Sequence, residues 1–164
     1  MNNFRIGHGY DAHRLVSSIP LIICGVHIES PVGSQGHSDG DVGYHSICDA
    51  ILGALALGDL GSHFPSSNES WKNTDSKFFF EKILQLMGEK KYTINNIDCT
   101  IILQSPYIND YIYDMRNNIA SICNVDISCI SVKATTTDKT GCIGRGEGVS
   151  SLSVVLLQKD NHES

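Results

Sequence analysis

Apolar residues recur along the chain with two periods, and the change from one to the other separates the predicted strands from the predicted helices. Residues 4–13 and 21–28 are short β-prone runs with polar, Pro and Gly residues between them, and they predict an opening antiparallel pair. Further strands are predicted over residues 94–104, 127–134 and 149–158. Predicted strands therefore occupy both halves of the chain.

The strongest helical pattern starts near Asp39. Apolar residues recur from there to Leu55 at the spacing of one helix face, with Ser38 or Asp39 as the N-cap and Gly58 as the stop. We therefore expect a helix that faces the core in this segment.

Two more helices are predicted downstream. The first runs from residue 75 to residue 87 and ends at Gly88, after a polar loop over residues 62–74. The second covers residues 107–123, with Pro106 in its first turn. Strands and helices in this order predict an α+β fold in which helices pack on one face of a mixed β-sheet.

Length and composition narrow the class of protein. The 164 residues suit a single domain over residues 1–164. The 18 Asp and Glu outnumber the 12 Lys and Arg and no basic face occurs, which excludes general nucleic-acid binding. The apolar stretch over residues 50–57 is too short to span a bilayer, and residues 1–5 lack a secretion signal, so we expect a cytoplasmic protein without a membrane partner. Six cysteines without a C-x-x-C pair argue against a zinc ribbon or a disulfide scaffold.

The first candidate chemistry lies in the opening strand, where one residue separates Asp11 from His13. A strand sends such a pair to the same face, where the two side chains can share a metal ion. A lone D-x-H pair more often forms a polar strand face, so a metal site needs a further ligand.

The first predicted helix supplies that ligand. Asp41, His45 and Asp49 are spaced four residues apart and form one polar stripe on an otherwise apolar helix. Taken alone, His45 is equally well explained as a hydrogen-bonded buried histidine. Together with Asp11 and His13 it completes the two-histidine, one-carboxylate set of catalytic zinc sites, which non-haem iron also uses. Zinc is favoured because no redox motif is present, and Asp41 or Asp49 either orients His45 or is an exposed helix charge.

A third segment, residues 133–148, suits phosphate groups. It combines threonines, two lysines, an arginine and four glycines at a strand end. Hydroxyl and backbone N–H groups can hold phosphoryl oxygens there, and Asp138 can hold a hard cation. The alternative is a Thr-rich strand followed by a Gly-rich turn, and no Walker A or G-x-G-x-x-G motif is present.

Longer motifs follow one another in the order of a known enzyme family. The chain carries G-H-G-Y-D-A-H, H-S-D-G-D-V, A-L-G-D-L-G, K-A-T-T-T and G-R-G-E-G. Over residues 5–157 it resembles the 2-C-methyl-D-erythritol 2,4-cyclodiphosphate synthase family. The resemblance implies an α+β lyase of the non-mevalonate isoprenoid pathway. Such an enzyme converts 4-diphosphocytidyl-2-C-methyl-D-erythritol 2-phosphate into the cyclic diphosphate and CMP.

The resemblance also implies roles for single residues. Asp11, His13 and His45 match zinc ligands, while His37 and Thr136 match positions that stabilise the transition state. Substrate contacts are implied for Asp11, His13, His37, Ser38, Asp59, Leu60, Gly61, Phe64, Ser66, Asn68, Cys142 and Arg145, for a cytidine-binding loop (Leu103, Gln104, Ser105, Pro106, Tyr107, Ile108 and Asn109), and for a phosphate-binding turn (Thr135, Thr136, Thr137 and Asp138).

Four departures from the family's pattern bear on these roles. Asp138 stands where Glu is common, so a shorter carboxylate faces the second divalent ion, Mg²⁺ or Mn²⁺, that the resemblance implies. Residues 66–68 are S-S-N in place of an acidic D-T-D. Tyr107 replaces a common lysine and Cys142 a common aromatic residue, and at both positions we expect backbone contacts to remain.

The implied chemistry is an intramolecular phosphoryl transfer, in which the 2-phosphate attacks the β-phosphorus of the diphosphate and CMP leaves. It needs no enzyme nucleophile, but two metal ions best neutralise the meeting phosphates in a chain of formal charge -6. The alternative from another class is a non-catalytic zinc-containing protein that binds isoprenoid diphosphates near Arg145 and Glu147. A zinc hydrolase, which would give a linear product, is the third interpretation.

The last predicted strand bears on assembly. Residues 154–157 are apolar on both faces of the strand, which predicts cover on both sides. Self-association is the simplest source of that cover, and the resemblance implies a homotrimer whose sites lie between subunits. We therefore expect two partners, further copies of the chain and a small cytidine diphosphate substrate.

Overall fold

The structure is a computed structural model that describes residues 3–72 and 74–160. The predictions for residues 1–2, residue 73 and residues 161–164, which concern the targeting signal, the polar loop and the domain ends, lie outside the described residues. The strands are β1 (Phe4–Ser17), β2 (Leu21–Ile23), β3 (Val26–Ile28), β4 (Val32–Gln35), β5 (Tyr92–Ile102), β6 (Ile130–Thr135) and β7 (Gly148–Lys159). The helices are α1 (Val42–Leu55), α2 (Leu60–His63), α3 (Ser76–Glu89), α4 (Ile112–Cys123) and α5 (Gly141–Gly144).

Five of these strands form one mixed sheet in the order β4-β1-β7-β5-β6. Neighbouring strands are antiparallel except β5 and β6, which run parallel. α1 packs across β1 and β7, so the inward-facing residues of these strands are buried under the helix. The predicted α+β class with a mixed sheet is confirmed.

The predicted pairing of residues 4–13 with residues 21–28 is wrong. β1 pairs instead with β4 and β7, while β2 and β3 form a separate hairpin. Its two-residue turn consists of Cys24 and Gly25, which have φ values of 49° and 71°. Two successive residues with positive φ give the turn whose twist suits a tight hairpin, so residues 21–28 pair with themselves.

α1 starts later and ends earlier than the sequence predicts. Its N-cap is Asp41 and not Ser38 or Asp39, because the glycine before Asp41 turns the chain at a φ of 73°. The helix ends at Leu55, because its C-cap Ala56 adopts the left-handed conformation before the expected stop at Gly58 is reached. The buried face of the helix is nevertheless the predicted one.

Asp41 joins the start of α1 to the hairpin. Its carboxylate accepts the backbone N–H of Tyr44 at 3.0 Å, of Cys24 at 2.8 Å and of Gly25 at 2.7 Å. The side chain is fully buried, and burial raises its pKa to about 6 although these N–H groups favour the charged form. One carboxylate therefore fixes two elements that are separate in the sequence.

α3 and the segment before it also differ from the prediction. The helix starts one residue after the predicted start, because Asp75 is its N-cap, and it passes through Gly88 and ends before Lys91, which has a φ of 60°. The predicted polar loop over residues 62–74 contains the end of α2 and a 3₁₀ turn capped by Asn68. Polar side chains that cap these short turns stabilise them by accepting backbone N–H groups, although the segment is polar.

Two 3₁₀ turns shorten later elements. Pro106 follows a cis peptide bond outside α4, and a turn over Asn109–Tyr111 precedes the helix, which therefore starts at Ile112 and not at residue 107. A turn over Ile127–Cys129 likewise moves the start of β6 to Ile130. None of the described helices is long and apolar enough to cross a membrane.

Backbone contact between α1 and β1 depends on two glycines. A Cβ atom at Gly7 would lie 1.9 Å from the carbonyl oxygen of Ala50, and one at Gly9 would lie 1.9 Å from that of Ser46. A carbon and an oxygen atom that are not bonded to each other cannot approach so closely, so only residues without a side chain permit this packing.

The opposite face of the sheet is open in the single chain. It exposes Ile6, Tyr10, Leu152 and Val154, whose exposed fractions are 72%, 54%, 39% and 38%. The registers pair Tyr10 with Leu152 across β1 and β7, so these side chains form one apolar patch. Helix α1 thus covers one face of β7, whereas the other face, which was also predicted to be covered, is open in the single chain.

We expect Gly9→Ala to lower the free energy of unfolding by about 3 kcal/mol or more, because the added methyl group forces α1 away from β1. The matched control is Gly53→Ala on the exposed side of α1, where the nearest atom is 3.7 Å away, and it should stabilise the protein by about 0.5–1 kcal/mol. Urea unfolding of both variants measures the difference. Equal stability of the two would contradict the tight packing.

Candidate metal centre

Three metal-binding side chains converge where α1 crosses β1. Asp11 and His13 point from β1 toward the helix, and His45 reaches them from α1. Asp11 Oδ2 lies 2.9 Å from His45 Nδ1 and 3.0 Å from His13 Nε2, and the two nitrogens are 3.2 Å apart. The structure therefore brings the predicted triad together.

These donor atoms fit a metal ion. In a tetrahedral zinc site with ligands at 2.0–2.1 Å, neighbouring donor atoms are about 3.3 Å apart, which is close to the observed separations. Two imidazole nitrogens and one carboxylate oxygen suit zinc and also non-haem iron. The side chains are only 13–23% exposed, so the ion would be shielded on the protein side.

The charges in the triad couple metal binding to pH. Burial alone would raise the pKa of Asp11, but hydrogen bonds from His13 and His45 outweigh it and hold the pKa well below its usual range. Burial alone would lower the pKa of His13, but the Asp11 carboxylate outweighs it and raises the pKa. Protons on the imidazoles therefore compete with a metal ion for these donor atoms.

His45 is held by serines and not by the carboxylates of its own helix. Its Nε2 lies 3.1 Å from Ser38 Oγ and 2.9 Å from Ser76 Oγ. Asp41 caps α1, and Asp49 accepts a backbone N–H at the start of α2 at 2.7 Å. The prediction that Asp41 or Asp49 orients His45 is therefore wrong, because each carboxylate accepts a backbone N–H at the start of a helix. Neither is an exposed helix charge.

A cavity of about 260 Å³ opens beside the triad. Its lining residues are His13, His37, Ser38, His45, Leu60, Gly61, Phe64, Ser66, Trp71 and Phe79. All but Trp71 and Phe79 have a role implied from the sequence. Asp59 and Asn68 do not line it, because each caps a short turn with its side chain.

Trp71 and Phe79 form an aromatic wall with Phe64. The ring centroids of Phe64 and Phe79 are 4.7 Å apart, and those of Phe64 and Trp71 are 5.4 Å apart. Sequence reasoning missed both residues, since Trp71 falls in the predicted polar loop and Phe79 among the apolar residues of the predicted helix. A tryptophan within an otherwise polar segment was the available signal.

The predicted phosphate-binding residues lie elsewhere, at the carboxyl ends of β5 and β6. These strands are parallel, so their ends meet at one edge, where Gln104 Oε1 accepts the backbone N–H of Lys139 at 3.0 Å. Thr136 Oγ1 lies 3.4 Å from Asp138 Oδ1, and both side chains are exposed. Hydroxyl and carboxylate groups are thus presented together to solvent at this edge.

The predicted cytidine loop presents different groups along its length. Leu103 and Ile108 are buried, so only their backbone groups can contact a ligand. Tyr107 is 75% exposed, and its hydroxyl oxygen accepts a hydrogen bond from the Asn109 amide at 2.7 Å. The loop therefore offers backbone groups and one exposed aromatic ring.

The remaining predicted contacts lie near α5. Arg145 Nε donates to Glu147 Oε1 at 2.7 Å, and both side chains are exposed. Cys142 is also exposed, whereas the Thr137 hydroxyl donates to the carbonyl of Thr140 at 2.7 Å. The Thr137 hydroxyl therefore stabilises the turn through this hydrogen bond.

The two groups of predicted residues do not meet within one chain. β1 and β6 are separated by β7 and β5, and three strand spacings amount to about 14 Å. Among the described residues that line the cavity, none comes from residues 103–109 or 135–138. We call the triad with its cavity the metal half of the site, and residues 103–109 with residues 135–138 the phosphate half. The two halves are therefore separate in the single chain.

Fold and donor set together define an α+β domain with a candidate metal centre beside a small cavity. The profile of the YgbB family matches residues 4–158, and the chain belongs to that family.

Curated relatives and solved structures extend this result. A protein of Francisella tularensis subsp. novicida named 2-C-methyl-D-erythritol 2,4-cyclodiphosphate synthase is 52% identical, over 96% of this chain and 99% of its own length. One of the same name from Syntrophotalea carbinolica is 51% identical over 96% of both chains. The bifunctional IspDF of Campylobacter jejuni superposes with a TM-score of 0.92 at 40% identity, covering 95% of this chain and 42% of that one. IspF of Plasmodium falciparum in a CDP complex gives 0.86 at 37% identity, covering 98% and 99%.

These relatives support a cyclodiphosphate synthase function, and hence an enzyme. They give no support to the alternative of a non-catalytic binding protein.

We expect His45→Ala and His13→Ala to lose bound zinc while the protein remains folded, because both side chains contribute donor atoms at a partly exposed site. The matched control is His63→Ala, whose ring contacts the Leu57 carbonyl and lies outside the triad. Elemental analysis of the purified proteins gives the zinc content, and circular dichroism confirms the fold. Full zinc occupancy in either triad variant would contradict the assignment.

Proposed function

We propose that the protein converts 4-diphosphocytidyl-2-C-methyl-D-erythritol 2-phosphate into 2-C-methyl-D-erythritol 2,4-cyclodiphosphate and CMP. In this role it is a phosphorus–oxygen lyase of the non-mevalonate isoprenoid pathway. The observation that carries the proposal is the triad of Asp11, His13 and His45 at a cavity, in a chain 52% identical to a relative with that activity in its name.

The substrate is proposed to bridge the two halves of the site. Its erythritol portion suits the cavity, where Leu60, Phe64 and Trp71 provide apolar contacts that exclude water. Its cytidine suits the loop over residues 103–109, and the CDP complex of the Plasmodium falciparum protein supports a nucleotide ligand. The turn over residues 135–138 then faces the phosphates.

The reaction is an in-line attack of the 2-phosphate oxygen on the β-phosphorus, with cleavage of the bond to the CMP oxygen. Zinc at Asp11, His13 and His45, and Mg²⁺ or Mn²⁺ beside Asp138, would supply the positive charge that the phosphates require. His37 donates a hydrogen bond to a phosphoryl oxygen, and the Thr136 hydroxyl holds another. Binding both reacting groups in one orientation supplies much of the rate, since no enzyme nucleophile takes part.

The product distinguishes this reaction from the two alternatives, a zinc hydrolase and a non-catalytic binding protein. Purified protein with zinc and magnesium should release one CMP for each cyclic diphosphate formed, and phosphorus NMR of the product identifies the ring. A linear product that carries two separate phosphate groups, formed by attack of water on the β-phosphorus with loss of CMP, would show a hydrolase instead. No CMP release, combined with tight binding of isoprenoid diphosphates, would restore the non-catalytic alternative.

A homotrimer is proposed to complete the site. The apolar patch formed by Ile6, Tyr10, Leu152 and Val154 is open in one chain, and neighbouring copies would bury it. Since the metal half and the phosphate half are about 14 Å apart in one chain, a neighbour can supply the second half. Cyclic symmetry then makes every site equivalent.

Two inactive variants should therefore rescue each other. Chains with His45→Ala lack the metal half, and chains with Thr136→Ala and Asp138→Ala lack the phosphate half. After joint unfolding and refolding in equal amounts, about a quarter of the sites should combine two intact halves. CMP release near that fraction supports a shared site, with refolded wild-type protein as the control. No activity in the mixture would place the complete site within one subunit.

A further inference from the structure

The orientation of His45 depends on a buried serine from a distant part of the chain. Its Nδ1 faces Asp11 and His13, while Nε2, on the other side of the ring, lies 2.9 Å from Ser76 Oγ. Ser76 is the first residue of α3 and is fully buried. The contact therefore holds the ring from the side that faces away from the metal-binding atoms.

The hydroxyl group of Ser76 donates its proton in a hydrogen bond to Asp39. The Asp39 carboxylate accepts both the backbone N–H of Ser76, at 3.1 Å, and its O–H. An ionised carboxylate has no proton to give, so Ser76 is the donor and its oxygen remains free to accept. The acceptor side faces His45, so Nε2 can keep a proton and donate it to Ser76 when a metal ion takes the place of the proton that Nδ1 shares with Asp11.

We infer that Ser76, held by Asp39, is a positioning residue that sets the tautomer and ring orientation of His45 for metal binding through Nδ1. The inference rests on the proposed metal centre and adds a residue to it. Outer contacts of this kind tune metal sites, and their loss typically weakens metal binding by 10–100-fold.

Ser38 has a different place in the same cluster. Its Oγ lies 3.1 Å from His45 Nε2 and 3.2 Å from Ser76 Oγ, but its side chain also lines the cavity. Ser38 can therefore exchange its contact with the ring for one with a ligand. Ser76 is enclosed between His45 and Asp39, so its contact persists whether or not the cavity is filled.

The test measures zinc affinity in the full chain without substrate. Competition with a chromophoric chelator should show that Ser76→Ala raises the zinc dissociation constant by about 10–100-fold. Ser46→Ala is the matched control, because it removes an equally buried hydroxyl next to His45 that contacts Ser151 and Ser153 and not the imidazole. Its zinc affinity should equal that of the wild type.

Two further measurements separate positioning from a general structural effect. In zinc-loaded protein with ¹⁵N-labelled histidine, NMR should show the proton of His45 on Nε2, protected from water in the wild type and exchanging rapidly in Ser76→Ala. Asp39→Asn offers one acceptor oxygen for the two donors of Ser76, so it should weaken zinc binding in the same direction.

Each outcome decides a different claim. Wild-type zinc affinity in a folded Ser76→Ala protein would overturn the inference and leave the metal centre intact. If Ser76→Ala does not fold, unchanged affinity in Asp39→Asn overturns it instead. A wild-type protein that binds no zinc would overturn the metal centre itself, and the inference with it.

Discussion

The candidate site depends on the backbone contact between α1 and β1. Asp11 and His13 face the helix from the strand, and His45 can reach them only because Gly7 and Gly9 let the helix lie directly on the strand. The imidazole and carboxylate side chains are too short to bridge a wider gap. A packing constraint in the core therefore determines whether three donor atoms come within about 3 Å of one another.

The segment H-S-D-G-D that precedes α1 connects this contact to the rest of the molecule. Asp41 binds the turn of the β2–β3 hairpin, and Asp39 binds the start of α3. Between them, Gly40 adopts a positive φ that sends the two carboxylates to different neighbours. The helix that carries His45 is thus fixed from both sides, which suits a ligand whose direction matters.

Sequence reasoning succeeded where a local pattern carried the information. The period of two in a strand placed Asp11 and His13 on one face, and the apolar spacing placed a helix from about residue 75, next to the observed start of α3 at Ser76. It failed where long-range contacts decide. The turn at Cys24 and Gly25 has no Asn-Gly signal, and Ser76 lies 31 positions from His45 with no periodic relation to it. The choice of Asp41 over Asp39 as the cap depended on the conformation of one glycine.

The aromatic wall of the cavity has an optical consequence. Trp71 is the only tryptophan in the chain, and it packs against Phe64 and Phe79 at the cavity. The intrinsic fluorescence excited at the red edge of the absorption band therefore comes from the cavity alone. A ligand that enters would change the polarity around the indole ring, so its occupancy can be followed by emission without any attached dye.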